Sequence, residues 1–268
     1  MIDTQHFDLA IVAAIQAGEA ILDIYKRDFD IEYKQDESPF TEADTKANQV
    51  IMRFLEKTGI PVLSEEGRNI QYKERKNWKH LWIVDPLDGT KEFIKKNDEF
   101  TVNIALVEKG MPIFGVVYAP VLDELFIGLR GIGAWKLSLA RHRQIQTFEE
   151  IEKVGGIRLP LIENSTHFGV VASRSHLSPE TKTYIEQLEK KHNNIIIMSK
   201  GSSLKICMVA EGTVDIYPRF APTSEWDTAA GHAVAVASGA KMVKSENEDE
   251  ELEYNKENIL NPWFIVKR

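Results

Sequence analysis

At 268 residues, 43% hydrophobic and 28% charged, the chain has the make-up of an ordinary soluble globular protein, built as one large domain or two intimately packed ones. Its net charge of −8 argues against a protein that coats nucleic acid through phosphate contacts, yet leaves room for a small anionic substrate where positive charge is concentrated. No stretch approaches the roughly 20 apolar residues of a membrane helix, and Met1–His6 lacks the basic-then-apolar profile of a signal peptide.

In chain order, Phe7, Ile11, Ile15, Gly18, Leu22 and Tyr25 recur at helical spacing and predict a first amphipathic helix. A polar stretch with Ser38-Pro39 follows. Thr41 then opens a second helix carrying Val50, Ile51, Phe54 and Leu55, which Gly59 ends as a C-terminal cap. Pro61–Ser64 reads as a short strand delivering Glu65 and Glu66, and the apolar run through Val84 as a buried strand that stops at a turn. Thr101–Val107 and Ile113–Tyr118 predict a hairpin through Lys109-Gly110, and Leu125–Gly128 and Gly133–Trp135 continue that sheet. A charged segment without clear periodicity, from about Ser138 to Asn164, is the candidate boundary between a first half, residues 1–145, and a second, residues 146–268.

Beyond that boundary strand and helix alternate. Strands are predicted at Phe168–Ala172, Ile195–Met198 and Val214–Tyr217, with Trp263–Val266 closing the sheet. Helices start at Ser178-Pro179, at Gly201-Ser202-Ser203 (ending at Gly212) and at Asp227 (ending at Gly239). Cys207, the lone cysteine, excludes an intrachain disulfide and reads as a buried structural thiol in the second of these helices. A sheet-rich first half and an alternating second half imply an α+β or α/β fold of layered sheets and helices.

The turn after the central strand carries the chemistry. Asp85-Pro86-Leu87-Asp88-Gly89-Thr90 projects two carboxylates three residues apart, with the Leu87 carbonyl between them and a hydroxyl after them. Mg²⁺ takes oxygen ligands and rarely gets a full protein cage, so two carboxylates completed by a substrate phosphate make a typical site. Asp, Pro and Gly are also the residues of a plain turn. Glu65 follows a strand, where α/β proteins place their ligands, although Glu66 beside it makes the pair resemble an ordinary exposed surface. Asp227 reads as an N-cap, and a helix N-terminus also keeps a carboxylate ionised and ready for a metal. Thr41-x-x-Asp44 has the form of a capping box. There is no convincing Ser-His-Asp or Cys-His arrangement for nucleophilic catalysis.

Four motifs in order, Thr41-Glu42-Ala43-Asp44, Ser64-Glu65-Glu66, Asp85–Thr90 and Trp226-Asp227-Thr228-Ala229-Ala230-Gly231, resemble the lithium-sensitive, Mg²⁺-dependent phosphatase family that includes the inositol monophosphatases. The resemblance spans nearly the whole chain. It implies the family's layered α/β/α/β/α sandwich and a site for two or three Mg²⁺ ions held by Glu65, Asp85, the Leu87 carbonyl, Asp88 and Asp227. It also implies catalysis by Asp44 and Thr90, which would orient and deprotonate the attacking water. Lys91-Glu92-Phe93-Ile94, Glu99–Leu106, Gly201–Lys205 and Tyr217–Phe220 resemble the CysQ-type 3′(2′),5′-bisphosphate nucleotidases of that family; inositol monophosphatases usually carry Thr-Asn-Phe after the Asp-Gly-Thr. That subgroup implies hydrolysis of the 3′-phosphate of adenosine 3′,5′-bisphosphate to AMP, with 3′-phosphoadenylyl sulfate as a second substrate.

The same resemblance sets Gly89, Ser173, His176, Gly201 and Lys205 against the substrate. Free backbone N–H groups at the start of the Ser203 helix could accept an anion, and Lys205 adds a point charge. A surface-loop histidine and a solvated helix face are the plain alternatives for His176 and Lys205. Arg174 and Arg219 are further candidates, whereas His6, His80, His142, His167, His192 and His232 show no ligand spacing. The competing functions are an inositol-phosphate or sugar-phosphate phosphatase with the same metals, and a protein that binds Mg²⁺ or nucleotide without turnover. The expected partner is a small nucleotide bisphosphate, with no nucleic acid polymer, for a monomer or homodimer. A cytoplasmic location is expected, with peripheral attachment to the inner membrane left open.

Overall fold

A computed structural model describes residues 2–33, 39–162, 167–173, 178–192 and 194–268. Helix α1 (Thr4–Tyr25) is opened by Asp3, whose carboxylate accepts the Gln5 N–H, and its apolar stripe from Phe7 to Ile24 is buried. The short antiparallel pair β1 (Glu32–Tyr33) and β2 (Pro39–Phe40) leads into α2 (Glu42–Leu55). A 3-10 turn, Glu56–Thr58, extends this helix to Gly59, which stops it at φ +66°, a left-handed conformation that glycine adopts without a Cβ clash.

Strand β3 (Val62–Ser64), the single turn α3 (Tyr72–Arg75), β4 (His80–Asp88) and the short α4 (Thr90–Ile94) follow. Next come β5 (Thr101–Glu108), β6 (Met111–Ala119), β7 (Glu124–Leu129) and β8 (Gly133–Ser138), then α5 (Ala140–Arg143) and β9 (Ile157–Arg158). These strands form one seven-stranded sheet in sequence order from β3 to β9. β3 is parallel to β4, and each later pair is antiparallel. At the β5–β6 hairpin Lys109 and Gly110 both have positive φ, +49° and +82°, the backbone twist a two-residue hairpin prefers. The charged segment read as a boundary therefore contributes an edge strand, β9, to the first sheet, and the chain leaves that sheet between Arg158 and Phe168.

The remainder is β10 (Phe168–Ser173), α6 (Pro179–Lys191), β11 (Ile195–Lys200), α7 (Leu204–Glu211), β12 (Ile216–Arg219), α8 (Glu225–Ala237), β13 (Lys241–Lys244) and β14 (Phe264–Lys267). The second sheet has the order β11-β10-β12-β14-β13. The last strand thus lies inside the sheet, with the unpredicted β13 at its edge. β12 also begins two residues later than its apolar run suggests.

Alternation along each strand builds the layers, because successive side chains point to opposite faces. Trp82 and Val84 join α1 and α2 in one core, whereas Leu81 and Ile83 join α7 and α8 in a second. In the smaller sheet Val171, Tyr217 and Val266 face that second core, and Val170, Ile216 and Ile265 face α6 in a third. The result is a five-layer stack of helices, large sheet, helices, small sheet and helix. Cys207 is fully buried in the second core, where burial pushes its thiol well above the usual value. No helix among the described residues is long and apolar enough to cross a membrane.

Candidate active site

The strand β4 does not stop before the acidic turn but runs through it to Asp88. Asp85 stands opposite Asn103, and Asp88 opposite Thr101, so Pro86 and Leu87 together face the single residue Val102. This is a bulge, and it has a direct consequence. Residues three apart on a regular strand point to opposite faces; one extra residue turns Asp85 and Asp88 to the same side. Pro86 suits the position because a bulge does not require its missing N–H. Asp85 then closes the local turn by accepting the Leu87 N–H at 3.0 Å.

Two more carboxylates come from other elements. Glu65 follows β3 and donates its N–H to the Val84 carbonyl at 3.1 Å, which continues the parallel ladder and fixes its place beside β4. Asp227 lies in the first turn of α8. The cap of that helix is Ser224 rather than Asp227, and Asp227 accepts the Ser224 N–H at 2.7 Å from the third position of a capping box. Carboxylate oxygens of Glu65, Asp85 and Asp227 all lie within 4.8 Å of one another.

Burial and mutual repulsion act on this cluster. Desolvation, followed by Glu65, Asp88, Asp227 and Asp44, raises the Asp85 carboxyl well above the usual carboxylate range. Asp227 is pushed up to about 8 by burial and then by Asp88. A hard divalent cation would remove that repulsion, and an all-oxygen set of carboxylates with an adjoining backbone carbonyl suits one.

Asp88 sits outside the tight trio and is held differently. Its Oδ2 accepts from the Ser203 hydroxyl at 2.7 Å, Asn103 Nδ2 at 3.3 Å and the Thr101 hydroxyl at 3.5 Å. The Leu87 carbonyl and Asp44 meet at Thr90. The Thr90 hydroxyl is 3.3 Å from Asp44 Oδ1 and 3.4 Å from the Leu87 oxygen, and its one proton serves either acceptor. Asp44 Oδ2 accepts the Thr41 N–H and the Thr41 hydroxyl, each at 2.8 Å. Asp44 is therefore both the capping-box residue its spacing suggests and the partner of Thr90.

A cavity of about 280 Å³ opens over these groups, lined by Glu65, Asp85, Leu87, Asp88, Thr90 and Asp227 on the acidic side. Gly89, Ser173, Gly201 and Lys205 line it too, while His176 lies outside the described residues. Gly89, at φ +94°, makes the turn from β4 into α4. Lys205 is buried rather than on a solvated face, and donates to the Ser202 and Lys200 carbonyls at 2.6 and 3.4 Å. Burial lowers its ammonium to about 8. The Gly201 N–H is not free for an anion, since it donates to Glu99 Oε2 at 2.9 Å. A Cβ at Gly201 would stand 2.7 Å from the Glu99 carbonyl oxygen, so only glycine fits between the two segments.

Ser203, Asn103 and Arg219 complete the surroundings. Ser203 and Asn103 received no site role from sequence. The signal for Asn103 was a lone amide inside the otherwise apolar run of β5; Ser203 carried none beyond its place at a helix start. Arg219 lines the cavity and places positive charge near Asp227 and Lys205. His232, by contrast, is buried away from the cavity between Tyr254 and Glu251.

The sequence profile of the inositol monophosphatase family matches residues 3–263. The 3′(2′),5′-bisphosphate nucleotidase CysQ of Salmonella typhimurium is 47% identical over 258 residues, covering 94% of this chain and 96% of the relative. The enzyme of the same name from Escherichia coli K12 is 46% identical over the same length, with the same two coverages of 94% and 96%. Among solved structures, CysQ from Bacteroides thetaiotaomicron superposes with a TM-score of 0.89 at 53% identity, covering 97% of this chain and 95% of that one.

Proposed function

The chain belongs to the inositol monophosphatase family, and on that premise we propose that it is a Mg²⁺-dependent 3′(2′),5′-bisphosphate nucleotidase. The reaction is hydrolysis of the 3′-phosphate of adenosine 3′,5′-bisphosphate to AMP and phosphate, with 3′-phosphoadenylyl sulfate as a related substrate. The observation that carries the reading is the convergence of Glu65, Asp85 and Asp227 in one cavity that Lys205 and Arg219 also line. Carboxylates for metal ions and two basic side chains in the same cavity suit a substrate with two phosphates, one for the metals and one for the basic groups.

Glu65, Asp85, the Leu87 carbonyl, Asp88 and Asp227 would hold two or three Mg²⁺ ions. When bound, these ions neutralise the transferring phosphoryl group and make a water more acidic. Thr90 and Asp44 act on that water: the Thr90 hydroxyl fixes its orientation, and the Asp44 carboxylate behind it takes up the proton. Asp44 suits the task because Thr41 donors fill one of its oxygens and leave the other toward Thr90. Lys205 and Arg219 bind the non-reacting phosphate, and Gly89, Ser173, Gly201 and His176 shape the remaining contact. In this reading residues 1–145 supply most of the metal site and residues 146–268 the substrate end, with Asp227 crossing between them.

The test is phosphate release with Mg²⁺ from adenosine 3′,5′-bisphosphate, inositol 1-phosphate and fructose 1,6-bisphosphate. The nucleotide should lead by at least about tenfold in kcat/KM, ~1.4 kcal/mol of differential transition-state binding. Equal or faster turnover of inositol 1-phosphate would overturn the nucleotide assignment and leave the phosphatase intact.

A further inference from the structure

We propose that Ser203 and Asn103 are positioning residues that hold Asp88 in the orientation a cation requires, an inference that rests on the reading of Asp88 as a metal ligand. Ser203 immediately precedes α7. Its hydroxyl lies 2.7 Å from Asp88 Oδ2 and 2.8 Å from the Asp227 carbonyl oxygen, and it accepts a 2.9 Å bond from Asn103 Nδ2. Asn103, on β5, has two Nδ2 protons, and the second reaches Asp88 Oδ2 at 3.3 Å. Ser203 is 2% exposed and Asn103 1%, so solvent does not replace these bonds when one is lost.

Every hydrogen bond the Asp88 side chain makes with described residues falls on Oδ2. A carboxylate pinned at one oxygen by two or three donors cannot rotate freely, and Oδ1 is left as the oxygen for a cation. Outer partners of metal-binding carboxylates tune affinity in this way. The Ser203 hydroxyl also touches the backbone of Asp227. It therefore ties two proposed ligands, on β4 and α8, to the segment that carries Lys205. The carboxylate is the stronger acceptor for its single proton because the bond is charge-assisted.

Mn²⁺ binding measured by electron paramagnetic resonance, without substrate, tests this. Ser203→Ala removes the hydroxyl without adding bulk and should raise the Mn²⁺ dissociation constant roughly tenfold. Asn103→Ala should act in the same direction, and it carries the test should Ser203→Ala fail to fold. In an Asp88→Asn background either change should add less than about a twofold effect, as expected of residues that act through Asp88. The proposal is overturned if both variants, shown to be folded by their melting curves, bind Mn²⁺ like the parent. It is equally overturned if their full effect persists in the Asp88→Asn background, which would mark a purely structural role. Parent-like Mn²⁺ binding by Asp88→Asn alone would instead overturn the ligand reading of Asp88.

Discussion

Asp44→Asn separates two jobs that one carboxylate holds. Oδ2 accepts the Thr41 N–H and hydroxyl, and Oδ1 accepts the Thr90 hydroxyl. Asn keeps a carbonyl oxygen for the Thr41 donors, so the start of α2 survives. The losses are one charge near a helix N-terminus, about 0.3–1 kcal/mol, and weaker bonds once the charge is gone, about 1 kcal/mol. Offsetting these, Asp44 is among the groups that raise the Asp85 carboxyl, and that repulsion disappears. The net cost is about 1 kcal/mol, a fall in Tm of roughly 2–4 °C for a chain of this size. Chemistry suffers far more. The amide presents an NH₂ group to Thr90 where an acceptor stood, and it cannot take a proton. General-base loss is worth about 10²- to 10⁴-fold in kcat, or roughly 3–5 kcal/mol of barrier. The assay pairs a thermal melt with initial rates of phosphate release at saturating Mg²⁺ and substrate. A kcat within about threefold of the parent would reduce Asp44 to a helix cap and refute its role as base.

Lys205, lowered to about 8 by burial, should lose its charge as pH rises through that value, so kcat/KM for adenosine 3′,5′-bisphosphate should fall on the alkaline side. Lys205→Met should remove this limb and raise KM by roughly 10- to 100-fold, the loss of one charge-assisted contact, with little change for a small phosphate ester. Gly201→Ala forces a Cβ to 2.7 Å from a backbone oxygen and should cost about 1–3 kcal/mol of stability, read as a lower Tm together with a higher KM. Glu251, held down to about 2 by His232 and Arg130, contributes stability in full above the ordinary value of 4.5 and loses it as pH falls through about 2. Melting curves of Glu251→Gln should therefore lie below the parent at pH 6 and converge with it toward pH 2. Excess chelator should abolish turnover and Mg²⁺ restore it, whereas Ca²⁺ should not, since it prefers longer bonds and more ligands. Full activity in chelator would remove the metal mechanism.

Local patterns carried well from sequence to structure, and pairings between distant residues carried poorly. The 3.6-residue spacing from Phe7 to Tyr25 marks α1 because one buried stripe needs that period. The capping box at Thr41 was legible because all its bonds close within four residues. The bulge in β4 was not. Asp-Pro-x-Asp-Gly carries turn chemistry, and only the partner strand β5 keeps Asp88 in the ladder, opposite Thr101. The edge strands β9 and β13, two and four residues long, have too few residues for a period to register. The bond from Ser203 to Asp88 joins positions 115 residues apart, and no window along the chain contains both. Gly201 shows the same gap, for it precedes a helix start whose free amides could accept an anion, while Glu99, across the fold, already occupies its N–H.

The acidic groups stand on or beside regular elements, and the packing of α8 shows how one of them is seated. A Cβ at Gly115 would lie 2.3 Å from the Ala230 carbonyl oxygen, one at Gly128 would lie 2.5 Å from Val234 Cα, and one at Gly231 would lie 2.8 Å from Ile206. The helix thus rests directly on β6 and β7, with α7 pressed against its other side, and few flexible side chains intervene. Its first turn, which carries Asp227, leads straight into this close-packed stretch. Asp85 and Asp88 lie on β4, an interior strand next to the edge strand β3, Asp44 and Asp227 in helix first turns, and Glu65 in a ladder bond. In their proposed role as metal ligands these groups would have to sit within about 0.5 Å of a productive geometry, and regular elements meet that demand. The proposed substrate end uses the loop from Gly201 to Ser203, with Ser202 at φ +47°, and the end of β10 at Ser173. Loops change with little effect on the elements that bear them. On the proposed reading, substrate choice would be set by the segment from Gly201 to Lys205 and the approach near Ser173, while the bulge of β4 and the seat of α8 would keep the hydrolytic chemistry constant.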